Sequence, residues 1–209
     1  MLSRQELISQ LTKIIVSESI QENFHLRYPG AKPASVLIPI LNASENELAP
    51  EWRLLFTKRT DLVADHKGQV SFPGGRADPV DLNPETTALR EANEEIGLEP
   101  DKVQVIGKLE QIITITNYLV TPVIGLIPWP TSFTLEPEEV SHVFSIPLEW
   151  LADQTNHEIR PRSDFLNSDF PHLRDVIYFK PYQEEILWGV SAEITVRFLT
   201  KLLEQTRLE

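Results

Sequence analysis

Residues 72–98 read FPGGRADPVDLNPETTALREANEEIGL, and the reading of this stretch decides the fold. It holds a Gly-Gly turn at Gly74 and Gly75, a short acidic loop, and then a helix carrying Glu91, Glu94 and Glu95. The ends of the helix are marked. Asn83 is a good N-cap, Pro84 has no N–H to lose at the first helical position, and Gly97 suits the turn just past the C-terminus. At about 100° per residue the three glutamates fall within an arc of roughly 100°. Leu89, Ala92 and Ile96 occupy a separate face, about 60° wide, that can pack into a core.

A solvated helix side is the plain explanation of a Glu-rich face. Here, however, the acids cluster near the C-terminal end, where the helix dipole disfavours them. Arg90, one turn before Glu94, offsets part of this by roughly a few tenths of a kcal/mol as an i,i+4 pair. A divalent cation would supply the remaining compensation. Ligation by oxygen alone suits Mg²⁺ or Mn²⁺, which keep several waters and bridge to substrate phosphates. Around this helix Lys58, Arg59 and Lys67 precede the Gly-Gly turn and Arg76 follows it. A substrate with several phosphates needs such donors, and Arg can grip a phosphate through two bonds at once. Gly74 and Gly75 would allow the backbone a close approach to that ligand, although a plain tight turn also explains them.

The run Arg90-Glu91-Ala92-Asn93-Glu94-Glu95-Ile96-Gly97-Leu98 resembles the REUxEExGU half of the Nudix box, U being a bulky aliphatic residue; only Ala92 is smaller than the pattern asks. The first half departs more. The interval from Gly75 to Arg90 is one residue longer than in the general box, and its Glu is represented by Asp81. That longer form, with Asp78 and Asp81, resembles the coenzyme A pyrophosphatase branch of the family. Upstream, Leu55-Phe56-Thr57-Lys58-Arg59-Thr60, then Gly68, then Phe72-Pro73-Gly74-Gly75 is similar to that branch's signature, L(L/F)TxR(S/A)x3Rx3Gx3FPGG. The chain departs from it at Thr60 and at Ala64, where an Arg is expected.

The resemblance covers roughly residues 35–190. It implies an α/β fold, the Nudix-type α/β/α sandwich with a central mixed sheet and a catalytic loop–helix–loop. It also implies a metal shell of Glu91, Glu94 and Glu95 holding Mg²⁺ or Mn²⁺, with Arg90 aligning the carboxylates. A Glu just ahead of Val143-Phe144-Ser145 would return to the metal site or act as base; Glu139 matches best by position and Glu138 is the alternative there, while Glu94 is the other candidate to orient or deprotonate the water. The implied substrate is CoA or an acyl-CoA, cleaved to phosphopantetheine and adenosine 3′,5′-bisphosphate, with Lys58, Arg59, Lys67, Gly74, Gly75 and Arg76 on the substrate. Two other readings stand beside it. One is a pyrophosphatase for ADP-ribose, NADH or a dinucleotide. The other is a non-catalytic nucleotide-sensing or interaction module, against which the intact glutamate set argues.

Composition bounds the rest. A chain of 209 residues with 41% hydrophobic content can bury one full core. The absence of cysteine excludes a disulfide framework, a thiolate metal site and a cysteine nucleophile. The net charge of −12 argues against nonspecific binding to nucleic acid or an anionic membrane, but not against a small anionic substrate held by a metal and local cations. The first residues lack a basic segment followed by an apolar run, no stretch is apolar enough to span a bilayer, and the last residues are not a peroxisomal address. A cytoplasmic location is expected, and a homodimer is open.

Along the chain, residues 3–17 read as an amphipathic helix with a Ser3/Glu6 capping box. Residues 26–33 carry linker turns. Ala34–Leu41 and Trp52–Lys58 read as a hairpin-like strand pair. Val103–Thr116 reads as one strand, or two broken near Gly107. Tyr118–Ile127 is a further strand, in which Pro122 suggests an edge or a bulge. Pro147–Asp153 reads as a short helix, residues 154–174 as an irregular loop with Arg160, Arg162 and Arg174, and His66 as a loop or substrate-facing residue. Asp175–Phe179 reads as a strand and Ser191–Gln205 as a terminal helix with Ile194, Phe198 and Leu202 buried. The expected organisation is an N-terminal helix and linker over 1–33, a hydrolase domain over 34–190, and residues 191–209 as the C-terminal helix of that same domain.

Overall fold

The computed structural model describes residues 2–15, 28–46, 49–61, 67–161 and 175–207. In chain order the elements are α1 (Arg4–Ile14), β1 (Lys32–Asn42), β2 (Trp52–Arg59), β3 (Val70–Ser71), β4 (Gly74–Arg76), α2 (Pro84–Ile96), β5 (Gln104–Lys108) and β6 (Ile112–Ile113). They continue with β7 (Tyr118–Leu126), β8 (Val140–Pro147), α3 (Leu148–Ala152), β9 (His157–Pro161), β10 (Asp175–Phe179) and α4 (Gly189–Arg207). Ala64, His66, Arg162 and Arg174 lie outside the described residues.

The sheet is built on β1. It pairs antiparallel with β2, Ile40 opposite Leu54, and parallel with β7 from Lys32 opposite Tyr118 to Ile40 opposite Leu126. β3 and β8 flank β2, β4 joins β1, and β5 and β6 follow each other along the outer edge of β7, all antiparallel. The sheet is therefore mixed.

Strand alternation sorts the side chains into two layers. On one side Ile38, Ile40, Leu54, Phe56 and Ile124 pack with Leu7 and Leu11 of α1 and Phe198 and Leu202 of α4. On the other side Leu37, Leu41, Leu55 and Val123 pack with Ala88, Ala92 and Ile96 of α2. Fully burying one of the large apolar side chains stabilises the fold by about 1.5–3 kcal/mol. The result is an α/β/α sandwich in which α2 has one sheet face largely to itself. Its buried stripe runs through Ala88, with Leu89 only partly buried. Among the described residues no helix is long and apolar enough to cross a membrane.

The helix limits follow the local chemistry. Ser3 and Glu6 close the capping box of α1, whose helix ends at Ile14. Asn83 Oδ1 accepts the Thr86 N–H at 2.8 Å, and Gly97 terminates α2 with φ 68°.

Two expectations are corrected, and one strand was not expected at all. Pro122 is in a strand flanked on both sides, not at an edge. Its missing N–H falls between the last β5 pair, Lys108 opposite Val123, and the first β6 pair, Ile112 opposite Val120, so no ladder bond is lost there. Residues 157–161, expected to be irregular, form β9 and pair with β10, Ile159 opposite Ile177. Residues 140–147 form a full strand, β8, that the polar Ser141, His142 and Ser145 had disguised.

Candidate active site

The loop between β4 and α2 folds back onto the helix through Arg90. Its guanidinium grips Asp81 through Nε (3.1 Å to Oδ1) and Nη2 (2.9 Å to Oδ2). It reaches Glu91 at 2.9 Å and Glu94 at 2.8 Å through Nη1, and the Arg76 carbonyl at 3.0 Å through Nη2. Asp81 also accepts the Asp78 N–H and the Thr87 hydroxyl, each at 2.9 Å. Two ends of the motif, separated by the acidic loop, are thus locked together around one cation.

Those bonds hold the Asp81 carboxyl down from its ordinary 3.8 to about 2; Arg90 acts most strongly, burial opposes it, and the Asp78 N–H and Thr87 hydroxyl add to Arg90. A depressed folded-state pKa means that the unfolded chain takes up more protons as pH falls from about 4 towards 2. The stabilisation by ionised Asp81 is therefore complete above that window and lost within it. Asp81→Asn should cost about 1–3 kcal/mol near neutrality, from the lost charged hydrogen bonds. Urea midpoints should show the gap from wild type closing as pH is lowered through that window; a gap independent of pH would mean that the pair contributes nothing.

Glu95 is buried, with a side-chain exposure of 3%. Arg59 Nη1 lies 3.4 Å from its Oε1, and the Gly74 N–H donates to its Oε2 at 3.2 Å. Burial pushes the Glu95 carboxyl up to about 8; the Gly74 N–H and Arg59 pull it back, while Glu91 and Glu139 push it further. Glu91 is also raised, chiefly by burial, with Arg90 opposing and Glu94 and Glu139 reinforcing. The Glu139 charge thus acts on both Glu91 and Glu95, and the Glu91 charge on Glu95. Glu94 turns outward with 58% exposure and is tied to Arg90.

The glycines of the turn serve this contact directly. A Cβ on Gly75 would overlap the Glu91 carboxylate, and one on Gly74 would overlap the β1 backbone at Ser35 and Val36. Glu139 arrives from the other side, on a turn whose Glu136 N–H donates to the Glu95 carbonyl at 2.9 Å.

The cations are divided by strand alternation. Arg59 faces α2, whereas Lys58 points through the opposite face of β2 and pairs with Glu185 at 2.5 Å, so its charge is committed. Lys67 and Arg76 are exposed beside the turn. Sequence reasoning did not foresee Glu185, nor the Arg59–Glu95 pair. The alternation of Lys58 and Arg59 along an apolar strand was the available signal.

No three His, Cys, Asp or Glu side chains among the described residues form a closed metal shell, and Arg90 and Arg59 engage the glutamate oxygens. The donor chemistry nevertheless fits a hard divalent cation. It is all carboxylate oxygen, running from exposed Glu94 through half-buried Glu91 to buried Glu95, and crowded with like charge that a cation would relieve.

The NUDIX domain matches residues 31–166. An uncharacterized Nudix hydrolase NudL of Photorhabdus laumondii is 37% identical over 161 residues, 77% of this chain and 80% of that protein. A protein of the same description from Yersinia pestis is 39% identical over 174 residues, 81% of this chain and 80% of its own length. A MutT/nudix family protein from Enterococcus faecalis superposes with a TM-score of 0.54 over 98% of this chain and 76% of its own at 13% identity, a likeness of fold alone. With the mixed sandwich and the glutamate helix, these matches show that the chain belongs to the Nudix family and is a hydrolase of phosphoric anhydride bonds in nucleoside diphosphate-linked substrates.

Proposed function

We propose that the substrate is CoA or an acyl-CoA, hydrolysed at its pyrophosphate to phosphopantetheine and adenosine 3′,5′-bisphosphate. The observation that carries this reading is the upstream motif and its attachment to the glutamates. Arg59 of the Leu55–Thr60 segment pairs with Glu95, and Gly74 of the FPGG segment donates to the same carboxylate. The segment that resembles the CoA signature thus contacts a carboxylate of the glutamate helix, which supports this reading.

A pyrophosphate resists attack because its negative oxygens repel a nucleophile. A bound Mg²⁺ or Mn²⁺ supplies neutralisation of those oxygens and acidification of water. Glu91 and Glu95 would hold it, with Glu94 at the outer side. Arg90 keeps Glu91 aimed by pinning it between Asp81 and Glu94. Glu139 accepts the proton of the attacking water at its carboxylate, the role for which Glu94, tied to Arg90, is less suited. Arg59 would turn from Glu95 to a phosphate oxygen, and because the Glu91 carboxylate and the β1 backbone fill the space beside Gly75 and Gly74, the turn would meet the substrate only through its backbone groups. Lys67 and Arg76 are the exposed cations available to the ribose 3′-phosphate.

A panel of CoA, acyl-CoA, dephospho-CoA, ADP-ribose, NADH and a diadenosine substrate, with products resolved by mass spectrometry, tests this. CoA should have the highest kcat/KM of the non-acyl substrates. Dephospho-CoA should be poorer by roughly ten- to a hundredfold, the worth of one charge-assisted contact of about 1.5–3 kcal/mol. Lys67→Ala should narrow that gap. If ADP-ribose or NADH is cleaved best, the motif is scaffold, and Ala64 in place of the expected Arg marks a different nucleotide substrate.

A further inference from the structure

We infer that Thr60 is a positioning residue that holds Glu139 in place, an inference resting on the assignment of Glu139 as base. Glu139 is exposed and lies on a turn, so its backbone needs fixing from outside if its carboxylate is to stay beside Glu91 and Glu95. Within the turn, the Glu139 and Val140 N–H groups both donate to the Glu136 carbonyl, at 3.0 and 2.8 Å. On the helix side the turn is tied to α2 by Glu136 N–H to the Glu95 carbonyl at 2.9 Å, and just before it by Thr134 N–H to the Ile96 carbonyl at 3.0 Å.

On the strand side Thr60 makes both ties. Its hydroxyl donates to the Glu138 carbonyl at 2.7 Å, and its N–H donates to the Glu139 carbonyl at 2.9 Å. The two carbonyls bracket Glu139, so the orientation of its Cα is set from both neighbouring peptides. Thr60 itself is buried, at 9% exposure, which keeps water from competing for these bonds.

The ladder between β2 and β8 changes register at this point. Lys58 stands opposite His142 and Arg59 opposite Val140, leaving Ser141 as the extra residue, its hydroxyl on the Lys58 carbonyl at 3.1 Å. An extra residue in one strand bends it and re-aims the side chains nearby. The end of β2 thus carries Arg59 to Glu95 and, one residue on, Thr60 to the Glu139 turn. Thr60 is also one of the two positions where the chain departs from the upstream signature.

The test is a double-mutant cycle on the best-cleaved substrate of the panel. Thr60→Val keeps shape and the backbone N–H and removes the hydroxyl. It should lower kcat roughly tenfold with KM unchanged, and Thr60→Ser should restore the rate. In a Glu139→Gln background, itself slowed by at least about a hundredfold, Thr60→Val should have no further effect. An equal loss in both backgrounds, or a wild-type kcat for Thr60→Val, overturns the inference while leaving Glu139 as base. A wild-type rate for Glu139→Gln overturns the assignment of the base, whatever Thr60 does. Should the valine variant not fold, Thr60→Ala, which adds no methyl, carries the same cycle.

Discussion

With a chelator in excess, hydrolysis should fall to background, and it should return on addition of Mg²⁺ or Mn²⁺. The expectation follows from the charge arrangement on the face of α2. Glu91 and Glu95 are both driven upward in pKa chiefly by burial, Glu91 further by Glu94 and Glu95 further by Glu91, with Glu139 adding to each. The two arginines already spend their charge within the cluster, Arg90 on Asp81, Glu91 and Glu94, and Arg59 on Glu95. A substrate bringing more negative oxygens needs further cations. A second readout does not depend on turnover. Metal binding to the folded chain alone raises stability by about 2.7 kcal/mol at a hundred times its Kd, so thermal melts should shift upward with added metal. Full turnover in metal-free buffer would end the mechanism proposed above.

Glu95→Gln should carry the largest effect of any single substitution. It keeps the shape of a buried side chain and removes its charge, so the fold should persist. Loss of a residue that merely supports a metal ligand already costs about 10- to 100-fold, and loss of a ligand should exceed that in kcat. Melting temperature and the metal-induced shift separate the causes. A variant that melts like wild type, shows no metal shift and turns over at least about a hundredfold more slowly identifies Glu95 as a ligand. Near wild-type turnover would place Glu95 outside the metal site.

Much of the site lies within one helix, and for that reason it was legible from residue order. Capping by Asn83, Pro84 and Gly97 is local chemistry acting across a few residues, and the structure reproduces those limits. Period alone put the glutamates on one side of α2 and an apolar stripe on another. What period could not tell was how deep each glutamate goes. Glu94 and Glu95 are neighbours in sequence, yet one is mostly exposed and the other almost wholly buried, because the packing of β1, β4 and the Gly74 turn covers only the inner edge of the patch.

Contacts across long separations were decided by tertiary structure alone. The acidic loop gave Asp81 no visible partner until folding brought it against Arg90, and Glu139 could be matched to the site by order but not by geometry. Arg59 and Lys58 show the division most clearly. Residue order makes them equivalent cations at the end of an apolar strand, and the pleat sends them to opposite faces. Which face holds α2 is not written in the strand itself. It follows from Leu55 packing with Ala88, Ala92 and Ile96 while Leu54 and Phe56 pack with α1 and α4, so Arg59 meets Glu95 and Lys58 meets Glu185. Local propensity and periodicity, which act within a few residues, determined the helix and its acids; burial, which depends on every element at once, decided which of those acids and cations meet.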